Sequence, residues 1–239
     1  MHLLRVFYRV LFSFAYTTWT AVHIYACRRW LGRDARQAME IRRRWAARLL
    51  RVLGVRVQVI GSVPDRPCLI VANHRSYLDP IVLLRDVHAY PVAKAELARW
   101  PIIGKGARWA GIIYLQRERK EAGVSALKRI AKIIMEEGFS VIVFPEGTTS
   151  DRSELLPLKK GALRAATRWS LPVVPAAICF EDSRDFWVGE EPFFRHAWRR
   201  FQKREIFIRI HYGAPLCETD ESLLEQRVIA WIEAHLKNR

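Results

Sequence analysis

The sequence predicts an α/β fold: a single domain with a largely parallel central sheet flanked by helices, preceded by an N-terminal membrane-associated helical pair. Three observations carry this. From position 55 onward, apolar runs of four to eight residues alternate with helical stretches. No linker, repeat or low-complexity tract divides the 239 residues. The first 53 residues instead hold an apolar run between arginines. The expected organisation is residues 1–53 as membrane-associating helices and 54–239 as the α/β domain.

Composition narrows the class. The chain is 51% hydrophobic, enough for a sizeable core, which excludes disorder. Forty Lys and Arg oppose 24 Asp and Glu, a net charge of +16, and Arg supplies 31 of the 40. That asks for anionic partners: lipid headgroups, phosphorylated substrates or nucleic acid. Cys27, Cys68, Cys179 and Cys217 are far apart, with no CxxC pair, so neither a zinc site nor a disulfide framework is expected. Isolated reduced thiols fit a domain facing the cytosol.

The N-terminal run is Val10 to Cys27, with 13 of its 18 residues apolar and no formal charge inside. Arg5 and Arg9 flank it on one side, Arg28 and Arg29 on the other. Its end, Cys27-Arg28-Arg29-Trp30, lacks a small-residue cleavage site, which argues against a signal peptide. A spanning helix and an interfacial helix remain open; polar interruptions and many aromatics suit headgroup depth. Asp34–Leu53 reads as a second helix, with an Ala38, Ile41, Trp45, Leu49, Leu53 stripe beside Arg42, Arg43, Arg44, Arg48 and Arg51. Such a helix can lie on an anionic membrane or pack its stripe on the domain.

The strands follow in order: Val55–Ile60 by alternation, then Cys68–Ala72, Ile112–Leu115 and Ser140–Phe144 as buried runs. Val173–Phe180 contains Pro175, which suggests an edge or a kink. Ile206–Tyr212 closes the series. Helices are expected over Tyr77–Arg85, Lys120–Glu137, Lys159–Trp169 and Glu221–Leu236. A basic, aromatic-rich stretch, Arg195 to Arg209, offers a second membrane edge, a carrier-protein dock or a solvated loop.

The most informative segment is Asn73-His74-Arg75-Ser76-Tyr77-Leu78-Asp79-Pro80, between a buried strand and a helix. Ser76 and Asp79 form a capping-box pattern. His74 then lies at a strand's carboxyl end, where open α/β sheets place their sites. Its ring can fold back to the Asp79 carboxylate, and that pair could draw a proton from a hydroxyl. For an isolated His-x4-Asp, a plain helix cap with a satisfied histidine is the stronger reading, because such pairs arise often by chance.

Asn73-His74-x4-Asp79 resembles the first block of the glycerolipid acyltransferases, the 1-acylglycerol-3-phosphate acyltransferase-like family that acylates lysolipids. Gly111-Ile112-Ile113-Tyr114-Leu115-Gln116-Arg117 resembles the second, Phe144-Pro145-Glu146-Gly147-Thr148-Thr149-Ser150 the third, and Leu171-Pro172-Val173-Val174-Pro175 the fourth. Leu158-Lys159-Lys160-Gly161-Ala162 and Ala93-Lys94-Ala95 are also family-like. The resemblance covers about residues 55–215. It implies catalysis by His74 and Asp79. It implies acceptor contacts from Arg117, Glu146, Gly147, Thr148, Lys94, Asn73 and Lys160. The co-substrates would be acyl-CoA or acyl-(acyl carrier protein) and a lysolipid, with no metal or organic cofactor. Partners would be anionic lipids at the cytoplasmic face of the inner or plasma membrane. Oxyanion donors would come from backbone N–H groups near Gly147 or Ser76. Thr149 departs from the family's commonest third block, which has Arg there, so a lyso-ornithine lipid or another lysophospholipid stands beside lysophosphatidic acid as acceptor.

Two rivals come from other readings. A non-catalytic nucleic-acid binder would use the charge, but no RNP, KH, zinc-finger or helix-turn-helix signature is present and no nucleic acid is expected. A hydrolase would need a protein nucleophile or activated water; Ser76 is near, but there is no GxSxG elbow.

Overall fold

The computed structural model describes residues 2–30, 34–95, 112–115 and 120–237. The chain opens with α1 (His2–Arg29) and α2 (Ala35–Leu53), then β1 (Val55–Ile60), β2 (Leu69–Ala72), α3 (Asp79–Leu84), β3 (Ala89–Lys94) and β4 (Ile113–Leu115). It continues with α4 (Lys120–Met135), β5 (Ser140–Val143), α5 (Gly161–Arg168), β6 (Val173–Phe180), α6 (Phe193–Arg200), β7 (Ile206–Tyr212) and α7 (Glu221–Lys237).

The strands form one seven-stranded sheet in the order β1-β7-β6-β2-β5-β3-β4. Only the β6–β7 pairing is antiparallel. β1 and β7 therefore run against the other five. Their starts, and the loop between α6 and β7, lie at the sheet end where β2, β5 and β6 finish. That end carries the site.

β2 shows why the sheet is covered twice. Ile70 and Ala72 join one core with Val6 of α1, Leu49, Leu50 and Leu53 of α2, and Val82 of α3. Leu69 and Val71 join the other with Ile130 and Ile133 of α4, Leu163 of α5 and Val228 and Ile232 of α7. A strand buried on both faces needs a near-continuous apolar run, seen in β2 and β6 and in Val141–Val143 of β5.

Three expectations need correction. β3 has no counterpart among the strands expected from the sequence, and it contains Pro91. The β3 residues that bond β5 are even-numbered, since His88 O accepts from Ser140 N. Pro91 is odd, so its missing donor faces away from β5. β6, expected at an edge or kinked because of Pro175, lies between β7 and β2. Pro175 is tolerated because the β7 ladder stops there: Tyr212 pairs Ala176, and Pro175 O still accepts from Gly213 N at 2.9 Å. Gly213 is required by that approach, since a Cβ would meet the Pro175 ring at 2.8 Å.

The third correction concerns α2. Of the expected stripe Ala38, Ile41, Trp45, Leu49 and Leu53, only Leu49 and Leu53 are fully buried; the buried line is Met39, Arg42, Ala46, Leu49, Leu50 and Leu53. Arg42, expected on the exposed arginine face, is 3% exposed, donates to Ala89 O and stands 5.3 Å from the Tyr90 ring centre. Burial pushes its pKa down to about 10.

α1 and α2 form an antiparallel hairpin, with Trp45 Nε1 donating to Thr17 Oγ1 at 3.1 Å and Arg9 Nε to Val52 O at 3.0 Å. Val6, Arg9, Thr20, Ala21, Ile24 and Cys27 face inward. Leu4, Phe7, Leu11, Phe14, Trp19 and Val22 remain exposed on the outer side. α1 is about 42 Å long at 1.5 Å per residue, but no helix among the described residues is long and apolar enough to cross a membrane.

Candidate active site

Three parallel strand ends assemble the site: β2 in the middle, with β5 and β6 on either side. Asn73 follows β2 and is fully buried. Its Oδ1 accepts from Ile178 N at 2.7 Å and its Nδ2 donates to Ile178 O at 3.0 Å. The amide thus extends the β2–β6 ladder by one rung and frees the main chain to turn.

His74 sits on that turn, held by its backbone. Its N–H donates to Glu146 Oε1 at 2.8 Å and its carbonyl accepts from Ser150 N at 2.9 Å. Glu146 lies just beyond β5 and is 4% exposed; its Oε2 accepts from Leu156 N at 3.1 Å. Burial raises the Glu146 pKa against these hydrogen bonds. Gly147, at φ 73°, closes a tight turn by donating its N–H to Phe144 O at 3.0 Å.

The His74 side chain meets Asp79 as the spacing suggested, but by a different local route. The helix expected over Tyr77–Arg85, with Ser76 as its cap, runs over Asp79–Leu84, with Leu78 at the cap position. Asp79 is fully buried and folds back over the turn. Its Oδ2 accepts from Arg75 N at 2.5 Å, Ser76 N at 2.7 Å and His74 Nδ1 at 2.8 Å. A carboxylate only accepts, so Nδ1 carries the proton and Nε2 keeps its lone pair. Nε2 has no hydrogen-bond partner among the described residues and is not buried. The imidazole is 22% exposed and stacks on Phe144, with ring centres 4.3 Å apart and planes at 21°.

Arg75 escaped the sequence reading. It is fully buried, Nη1 donates to Ser150 O at 2.6 Å, and its carbonyl accepts from Trp187 N at 2.9 Å. It ties the His74 turn to the segments after β5 and β6. Only its place inside the Asn73–Asp79 motif could have flagged it. Tyr77 was missed for the same reason. Its ring contacts Phe193 at 4.8 Å and Trp187 at 5.8 Å, and its hydroxyl lies 3.2 Å from His196 Nδ1. Burial pushes its pKa far up.

The other expected residues are spread more widely. Thr148 is exposed on the same turn as Gly147. Lys94 is exposed at the end of β3, two strands from β2, about 10 Å across at ordinary strand spacing. Lys160 begins α5 and pairs through Nζ with Glu225 Oε2 at 3.0 Å. Arg117 lies outside the described residues. The expected oxyanion donors are engaged elsewhere: Gly147 N–H on Phe144 O, and Ser76 N–H on Asp79.

A family model described as Acyltransferase matches residues 54–179, which spans the whole assembly from β1 through Ile178. The chain is 30% identical over 198 residues to the human 1-acyl-sn-glycerol-3-phosphate acyltransferase alpha, covering 80% of this chain and 67% of that protein. The sheep protein of that name is also 30% identical, but the chain spans only 58% of its length. The lyso-ornithine lipid O-acyltransferase of Brucella abortus is 29% identical, with 79% and 80% covered. The crystal structure of the 1-acyl-sn-glycerophosphate acyltransferase PlsC from Thermotoga maritima shares the fold at a TM-score of 0.75, 23% identity and 99% coverage of this chain. The matched stretch carries the strand ends, the His74–Asp79 pair and the Glu146 turn, and the chain belongs to the acyltransferase family.

Proposed function

We propose that this chain transfers a fatty acyl group from acyl-CoA or acyl-(acyl carrier protein) to the free hydroxyl of a lysolipid. The first acceptor is 1-acylglycerol-3-phosphate, giving phosphatidic acid. The observation that carries the reading is the His74 Nε2 lone pair, open at the carboxyl end of β2, with Nδ1 fixed by a buried carboxylate. Nε2 takes the hydroxyl proton as that oxygen attacks the thioester carbonyl. Asp79 holds the tautomer and stabilises the imidazolium. When the tetrahedral intermediate collapses, the C–S bond breaks and the imidazolium returns the proton to the thiolate. The thioester is already activated, so the scheme needs no cofactor.

A second acceptor has specific support. Thr149 stands where a cation for an acidic acceptor would be expected. The relative named for a lyso-ornithine lipid is also matched over more of its own length, 80%, than the animal proteins. The outer face of α1, apolar along most of its length, would rest in the headgroup and upper acyl region of one anionic leaflet. That holds the site where acceptor and product reside.

The experiment is thiol release from both donors against a panel of lysolipids in vesicles, with His74→Ala alongside. Release that depends on one lysolipid and on His74 names the reaction and the acceptor. No release from folded wild-type chain across the panel would sink the proposal.

Glu146 enters this scheme as a positioning residue. Each carboxylate oxygen accepts one backbone N–H, so a glutamine would turn an NH2 toward either His74 N or Leu156 N. Leaving one buried donor unpaired costs about 1–3 kcal/mol. Glu146→Gln is expected to lower kcat about tenfold or more, with KM for the lysolipid nearly unchanged. A raised KM at full kcat would instead make Glu146 an acceptor contact. The sign of its pH dependence also follows. The folded-state pKa is raised, so its stabilising contribution is full below the usual carboxylate range. That contribution is lost as pH rises through the folded value, and Glu146→Gln should flatten this slope in a melting-temperature series.

A further inference from the structure

We infer that α6, the short helix Phe193–Arg200, is a second membrane-docking element that enters the same anionic leaflet as α1. The inference rests on the membrane reading above and adds a site to it. α6 has two unlike faces. His196, Ala197 and Arg200 are buried, while Phe194 is 78% and Trp198 39% exposed, with Arg195 and Arg199 beside them.

The inner face is fixed to the domain by charge. Arg200 Nη1 donates to Asp185 Oδ1 at 3.0 Å; Lys203 Nζ donates to Asp185 Oδ2 at 2.7 Å and to Asp182 Oδ2 at 2.6 Å. The exposed rings are therefore presented on a rigid base.

The outer face continues that of α1. The Trp198 and Phe7 rings meet edge to face at 6.0 Å, and Leu3 and Leu4 lie one turn from Phe7, 64% and 76% exposed. Along the two helices stand Arg5, Arg195 and Arg199, and Glu191 pairs with Arg199 at 2.7 Å. Aromatic tips within a net positive rim match the headgroup boundary of an anionic leaflet. An acidic protein would use the arginines but leave Phe194, Trp198, Phe7, Leu3 and Leu4 in water.

The position adds meaning. Phe193 and His196 contact Tyr77, three residues from His74. A docked α6 would thus set the His74 turn at headgroup depth, where a lysolipid hydroxyl lies.

The test uses nitroxide labels on the full chain with Cys217→Ser, because Cys217 is the exposed thiol among four free cysteines. One label replaces Phe194 (F194C), and a control replaces Leu11 on α1 (L11C). With vesicles containing 30% phosphatidylglycerol, both positions should gain oxygen accessibility and lose accessibility to an aqueous nickel chelate. Burial at 11 with position 194 still in water overturns the inference and leaves the α1 reading standing. Water at both positions overturns both. Protection at 194 that appears without vesicles, by self-association or on adding acyl carrier protein, also overturns it. Independently, Phe194→Ser should weaken vesicle partition about 10- to 100-fold. Arg195→Ser should weaken it about fivefold on anionic vesicles and not on neutral ones.

Discussion

Replacing His74 by alanine is expected to lower acyl transfer by about 10²–10⁴-fold, the usual worth of a general base, while the chain stays folded. The substitution removes an imidazole that is 22% exposed, one hydrogen bond to Asp79 and the Phe144 stacking. It does not orphan the carboxylate, because Asp79 Oδ2 keeps the N–H groups of Arg75 and Ser76. The stability cost should be about 1 kcal/mol, a typical net hydrogen bond. Asp79→Asn separates orientation from proton transfer. Its carbonyl can still accept all three donors, but the NH2 then occupies the place of Oδ1. That atom is buried and has no hydrogen-bond partner among the described residues. The asparagine should therefore melt lower than the alanine at His74 yet retain more activity. Thiol release and thermal melts on the two proteins check this. Activity within tenfold of wild type in folded His74→Ala would remove His74 as the base.

The site was legible where chemistry follows backbone order, and hidden where it depends on what folds over it. A buried run followed by Asn73-His74 and an acidic helix start places the imidazole at a strand end, and the structure keeps it there. The sequence could not say that Asp79 accepts from two main-chain N–H groups besides the histidine, since a capping box and a dyad look alike in one dimension. Charge was the less reliable guide. Arg42 reads as part of an exposed arginine face and nothing local marks Arg75 as buried, yet both are buried, because carbonyls at Ala89 and Ser150 await them from distant segments. Pro175 misled in the opposite direction: its missing N–H falls where the β7 ladder ends, as that of Pro91 faces away from β5. Such compensation is set by register, which no local window contains.

The boundary at position 53 separates helices from strands, but the core does not follow it. Val6, Ala46, Leu49 and Leu50 share one cluster with Ile70, Ile178 and Ile208. Membrane contact is therefore best tested by surface substitution. Removing the hairpin would strip one face of the sheet.

Arg9 is the join between hairpin and domain, and Arg9→Ala is expected to be the most destabilising single change at that end. Arg9 is 6% exposed, and its guanidinium donates to Val52 O at 3.0 Å, Phe201 O at 2.9 Å, Lys203 O at 2.5 Å and Arg204 O at 3.0 Å. Val52 lies in the last turn of α2, and Phe201 caps α6. These are carbonyls that a helix end leaves without internal partners, and a cation there also opposes the helix dipole. Each buried acceptor left empty costs about 1–3 kcal/mol, less whatever water recovers. A total of about 3–5 kcal/mol is expected, which lowers the melting temperature by roughly 6–20 °C for a chain of this size. Arg9→Lys should fall between, since one ammonium cannot span four carbonyls. Gly54 makes the argument testable beyond a single loss. It ends α2 at φ 77°, and a Cβ there would lie 2.3 Å from Arg9 Nη2 and 2.4 Å from Arg204 O. Gly54→Ala must therefore displace the guanidinium and also strain the backbone. In the Arg9→Ala background only the strain and the Arg204 contact remain, so the glycine change should cost less there than in wild type. Urea unfolding of the four proteins closes the cycle. Strict additivity would mean that Arg9 and Gly54 do not share this junction. A coupling of about 1 kcal/mol or more would mean that the guanidinium and the glycine turn form one junction, in which α1 is held against the end of α2 and the segment after α6.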